Sequence, residues 1–100
     1  MSAYLLAEIE IINAEGYKGY TSVVPESIRK YGGRFLVRGG TTHPLEGDWP
    51  ERRRVIIEFP SVEAAKKWWD SPEYEKAKGM RRANSRGRLM LLEGVPDSTS

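Results

Sequence analysis

One hundred residues with 39% hydrophobic and 30% charged side chains describe one compact domain of ordinary globular composition. The chain has no cysteine, which excludes disulfides, thiolate catalysis and thiolate metal sites together. The formal net charge is +2 and acidic residues interleave with basic ones. The runs Arg52-Arg53-Arg54 and Lys76 to Arg88 therefore read as solvated surface, and nucleic acid is not expected as a partner.

Residues Ala3 to Ile12 alternate as a strand, with Leu5, Ala7, Ile9 and Ile11 on one face and Tyr4, Leu6, Glu8, Glu10 and Ile12 on the other. No signal peptide is expected, because Met1 to Tyr4 carries no basic flank and leads straight into the strand, and no later run approaches the ~20 apolar residues of a membrane span. A cytoplasmic location without membrane contact is expected. Asn13 is placed to cap a helix that carries Tyr17, Tyr20, Val24 and Ile28 at helical spacing and ends at Gly32-Gly33. Pro25 falls inside it and must remove one helical hydrogen bond.

Arg34 to Arg38 is the second strand, and Gly39-Gly40 signals a bulge or a close backbone approach. A long connection from Thr41 to Glu51 leads to a third strand, Arg53 to Phe59. Ser61 caps a second helix bearing Val62, Ala65, Trp68 and Trp69, and Ser71-Pro72 restarts it. That helix fades near Asn84, and Arg88 to Glu93 is the last strand. A single domain over residues 1–95 is expected, followed by a flexible tail at 96–100.

The order β-α-β-β-α-β is the ferredoxin-like α+β arrangement, a four-stranded antiparallel sheet with helices on one face. Leu6, Leu36, Ile56, Met90 and Leu92 then fall on the uncovered face. A patch of that kind usually marks an interface, and a homodimer with its sheets face to face is the simplest way to cover it.

Several stretches together resemble one family. They are Tyr31-Gly32-Gly33-Arg34-Phe35-Leu36-Val37-Arg38-Gly39-Gly40, Leu45-Glu46-Gly47-Asp48-Trp49, Ile57-Glu58-Phe59-Pro60-Ser61, Ala65 with Trp68, and Ser71-Pro72-Glu73-Tyr74. The chain is similar, from about Ala3 to Gly94, to the small proteins called domain of unknown function 1330, in the dimeric α/β-barrel superfamily. The resemblance implies a ferredoxin-like protomer and a barrel-forming homodimer. It implies no reaction, because distant superfamily relatives range from cofactor-independent oxygenases to ligand-sensing domains.

The candidate chemistry is sparse. Alternation puts Glu58 with Ile56 and Arg38 with Leu36, where Glu8 joins them. An arginine between carboxylates suits an anionic substrate or a tuned general base, while the plainer reading is a salt-bridge network closing the barrel. His43 is the only histidine. It can serve as a base, but a lone histidine is no zinc site, and an exposed loop histidine is the plainer reading. Trp68, Tyr20 and Tyr74 suit an aromatic pocket wall as well as a core. Catalytic candidates are thus Glu58, His43 and Arg38, and substrate-binding candidates are Tyr20, Trp68, Tyr74 and Glu8. No cofactor or metal is expected. The first reading is a cofactor-independent enzyme on a small organic molecule, and the alternative is a non-catalytic small-molecule-binding or structural dimer.

Overall fold

In the computed structural model, which describes residues 1–96, the chain runs β1 (Ala3–Ile11), α1 (Ala14–Lys30), β2 (Arg34–Arg38), β3 (Arg53–Phe59), α2 (Val62–Trp69), α3 (Pro72–Asn84) and β4 (Ser85–Glu93). The strands form one antiparallel sheet in the order β2-β3-β1-β4. The ferredoxin-like expectation is met, with the second helix divided in two. The proposed tail lies almost wholly outside the described residues.

The helix starts follow the capping chemistry. The Gly16 N–H donates to Asn13 Oδ1, the Ala64 N–H to Ser61 Oγ and the Tyr74 N–H to Ser71 Oγ, each meeting one of the free donors of a first turn. Gly32 takes φ +81°, the left-handed conformation that closes α1 without a side-chain penalty. Pro25 leaves α1 continuous to Lys30. Because proline has no N–H, the Thr21 carbonyl four residues earlier loses its helical donor. Arg38 supplies one instead, with Nη2 donating to Thr21 O at 3.0 Å.

The core fills the space between helices and sheet. Ala3, Leu5, Ala7 and Ile9 of β1 and Val55, Ile57 and Phe59 of β3 point into it. They meet Tyr17, Val24 and Ile28 of α1, Ala65 and Trp68 of α2, and Tyr74 and Ala77 of α3. Trp68 is its centre: its ring lies 4.0 Å from that of Tyr74 and 5.4 Å from that of Phe59. Its indole N–H donates to Ser27 Oγ at 3.0 Å, so the one polar atom of the ring is satisfied.

Two boundaries differ from the sequence expectation. Strand β4 begins at Ser85, directly on the end of α3, and Gly87 lies within it opposite Ile9. Main-chain pairing with β1 overrides the glycine signal, and a Cβ at Gly87 would sit 2.5 Å from the Glu8 carbonyl oxygen. The bulge in β2 lies between Phe35 and Val37, upstream of Gly39-Gly40. Gly39 makes the close approach: at φ +71°, a Cβ there would lie 2.3 Å from Arg53 Nη1.

Candidate functional site

The bulge decides where the site lies. Strict alternation would put Arg34, Leu36 and Arg38 on one face. One extra residue shifts the register, so that Val37 pairs with Ile56 and Arg38 with Val55. Val55 faces the core, and Arg38 accordingly turns to the helix side, where it reaches Thr21 and lies over the Phe35 ring at 4.4 Å. The expected grouping of Arg38 with Glu58 and Glu8 is not formed.

Glu58 and Glu8 remain on the open face with other arginines. Glu58 accepts from Arg34 Nε at 2.7 Å and from Tyr4 Oη at 3.3 Å. Glu8 accepts from Arg88 Nε at 2.8 Å and Arg54 Nε at 3.1 Å. These guanidinium partners, Arg34 for Glu58 and Arg88 then Arg54 for Glu8, hold both carboxyls below their usual range. Glu73, on the helix side, is held down to about 2 chiefly by the Lys30 ammonium, with Tyr31 adding a hydrogen bond.

A depressed folded-state pKa contributes stability that is present above the unfolded carboxylate value and lost as pH falls through the folded one. Stability is therefore expected to decline from about pH 4.5 toward pH 2, followed by circular dichroism in urea. Glu73→Gln should flatten that decline; an unchanged acid slope in the variant would show that the Lys30 pair does not carry it.

The three candidates Tyr20, Tyr74 and Arg38 do come together, on the helix side. Tyr20 and Tyr74 share a hydrogen bond between their hydroxyls at 3.2 Å, and Arg81 Nε donates to Tyr74 Oη at 3.2 Å. Beside them a small recess of about 30 Å³ lies under α1, with Tyr17, Tyr20, Thr21, Arg38, Arg53 and Arg81 forming its polar wall. Leu5, Val24, Phe35 and Leu89 form part of its apolar wall. Burial raises the Tyr17 and Tyr20 hydroxyls above the usual phenol range, with the neighbouring Tyr74 hydroxyl adding to the effect at Tyr20. Both stay protonated and act as donors near neutral pH.

Trp68 packs the core behind this recess and also borders a groove of about 250 Å³ between α2 and β4, lined by Lys66, Trp69, Met90 and Leu91. The groove is larger, but among the described residues Lys66 is its only charged side chain, and a ligand there has little to orient it. His43 sits in the exposed connection between β2 and β3, apart from both. Among the described residues no three His, Cys, Asp or Glu side chains group to hold a metal ion, and no helix is long and apolar enough to cross a membrane.

Sequence reading missed Arg53 and Arg81. Both sit in basic runs that look like solvated surface. The available signal was their spacing: Arg81 follows Tyr74 by seven residues, two helical turns, on the same buried stripe as Ala77 and Lys78.

The model for the domain of unknown function DUF1330 matches residues 2–95, and the chain belongs to that family. No curated protein matches it. Among solved structures it is similar to RPA0582 of Rhodopseudomonas palustris, a protein of unknown function, at 23% identity over 95% of this chain and 83% of that one, with a TM-score of 0.77. A dimeric ferredoxin-like protein of unknown function from Jannaschia sp. CCS1 matches at 15% identity over 94% and 100% of the two chains, TM-score 0.71. SnoaB, a cofactor-independent oxygenase from Streptomyces nogalater, matches at 10% identity over 99% and 98%, TM-score 0.64. At these identities the likeness is one of fold.

Proposed function

We propose that this DUF1330 chain is a self-associating, cytoplasmic, small-molecule-binding protein whose ligand occupies the recess between α1, α3 and the sheet. The observation that carries the reading is the composition of the recess wall: three arginines, two protonated tyrosines and Thr21 against apolar side chains, with no carboxylate or histidine among the described residues. Such a wall donates hydrogen bonds and holds charge. It offers no group that accepts a proton near neutral pH, because arginine stays charged and the tyrosines stay neutral. Binding fits this wall better than acid–base catalysis. Self-association is supported by the apolar open face of the sheet and by the dimeric state of the Jannaschia relative. The cysteine-free composition fits the cytoplasm.

The enzyme reading draws on a different observation. Glu58 is an ionised carboxylate on the open face, flanked by Tyr4 and Arg34, where enclosure by a second copy would desolvate it and so offset the depression by Arg34 that weakens it as a base. The cofactor-independent oxygenase among the structural relatives belongs beside this second reading, at the level of fold only.

One screen separates the two. Fragments from a diverse library, detected by ligand-observed NMR, should bind the wild type and lose at least tenfold in affinity to Tyr20→Trp, which fills the recess. Glu58→Gln should leave that affinity unchanged. Hits that survive Tyr20→Trp but are lost in Glu58→Gln would overturn the recess reading in favour of the open face.

A further inference from the structure

Arg81 is a full charge placed in the interior. Only 5% of the residue is exposed, so a guanidinium is held almost wholly out of water. Its Nε donates to Tyr74 Oη, and the Trp69 ring lies 6.0 Å from its Cζ. Among the described residues it has no carboxylate within ion-pair distance. Lys78, the other buried cation, has Glu75 at 3.7 Å and the Trp69 ring at 4.2 Å. Arg53, only half-buried, borders the same recess. Its Nε is shut off from solvent and has no hydrogen-bond partner among the described residues, while its Cζ lies 5.8 Å from the Tyr17 ring centre. Desolvating a charge without a counter-ion is strongly unfavourable. A small domain that retains such a group on a recess, beside a second arginine with one unpaired buried N–H, gives up stability for something the recess does.

We infer that the recess is a carboxylate site, taking a small organic acid whose carboxylate seats between Arg53 and Arg81, among the apolar side chains of Val24, Phe35 and Leu89. The inference rests on the small-molecule reading above and adds the ligand's class. A planar carboxylate matches the planar fork of a guanidinium, and both oxygens can be met at once. The volume of about 30 Å³ is room for about two water molecules, which is the bulk of one carboxylate group. The remainder of the ligand must therefore be short or lead outward beneath Arg38. A doubly charged tetrahedral anion is the poorer fit, since its dehydration cost is greater and half the wall is apolar.

The test uses the full chain and follows the arginine Nε–H signals in ¹H–¹⁵N spectra during titration with propionate, benzoate, their neutral amides and inorganic phosphate. The carboxylates should shift the Arg53 and Arg81 signals saturably, with the amides at least tenfold weaker. Arg81→Leu should abolish the carboxylate response while leaving the melting temperature of the free protein equal or higher. A purely structural arginine would instead lower it. Arg53→Leu serves as a second variant should Arg81→Leu not fold. Amides binding as tightly as acids would overturn the charge inference and leave the recess reading standing, while a preference for phosphate would keep the charge and overturn the carboxylate class. Recess fragments recovered by the library screen, with no acid moving either arginine signal, would likewise sink only the carboxylate class. No response from any probe, in either experiment, would remove both.

Discussion

Trp68→Ala is expected to cost about 3–5 kcal/mol of folding stability, the range seen when a large aromatic is removed from a close-packed core. For a domain whose total stability is on the order of 5–15 kcal/mol, that change leaves a large part of the population unfolded at moderate temperature. Three losses combine. Only 1% of Trp68 is exposed, so the whole side-chain transfer term is forfeited. The rings of Tyr74 and Phe59 lose their partner and cannot both collapse inward, because each is anchored in a different element. Ser27 Oγ loses the indole donor, although it keeps its own bond to the Val24 carbonyl. Trp68→Phe should cost less than half as much, since it keeps the ring contacts and removes mainly volume and the N–H. Urea denaturation of the three proteins at neutral pH is the check. A loss below about 1 kcal/mol for Trp68→Ala would mean that Trp68 is not the core residue its packing implies, and its role as a pocket wall would return.

The sequence made the architecture legible because the local signals were strong and agreed with one another. Asn13, Ser61 and Ser71 each cap the helix that follows, and Gly32 closes α1 as its spacing suggests. The candidate site was only half legible. Tyr20 and Tyr74 belong together in the structure as expected of pocket residues. The position of Arg38 was lost to a single extra residue, because a bulge at Leu36 carries no glycine or proline to announce it and reverses every side chain after it. The role of Pro25 was visible only in part. Its missing N–H could be read from the sequence, but the arginine that answers the orphaned Thr21 carbonyl comes from another element. Arg53 and Arg81 were hidden for a different reason: charge in a sequence predicts exposure, and that expectation outweighed the helical spacing of Arg81 from Tyr74.

Met90→Lys is expected to raise the dissociation constant of the proposed homodimer at least 100-fold, or about 2.7 kcal/mol, while barely changing the fold of the single chain. The open face has three rows running across the sheet. In the middle one Ile56 and Met90 flank Leu6, with Val37 beyond Ile56. On one side Glu58 and Leu92 flank Tyr4, with Arg34 at the edge, and on the other Arg54 and Arg88 flank Glu8. An apolar strip bordered by paired charges is the anatomy of a protein interface, with a dry centre and a polar rim. Met90 is 53% exposed, Leu36 46% and Leu92 45%, so a lysine at position 90 stays in water in the lone chain and costs little. In a two-fold dimer the same substitution enters twice and puts two like charges into the strip, where neither finds a carboxylate without leaving the interface. The rim carboxylates Glu8 and Glu58 are already held by arginines of their own chain. Val23→Lys, on the exposed side of α1, should leave association unchanged and controls for added charge. Sedimentation equilibrium over a hundredfold range of concentration measures all three proteins. A wild type that stays monomeric throughout, or a Met90→Lys protein that associates as tightly as the wild type, would remove the open face from the interface and with it the enclosure that an active Glu58 requires.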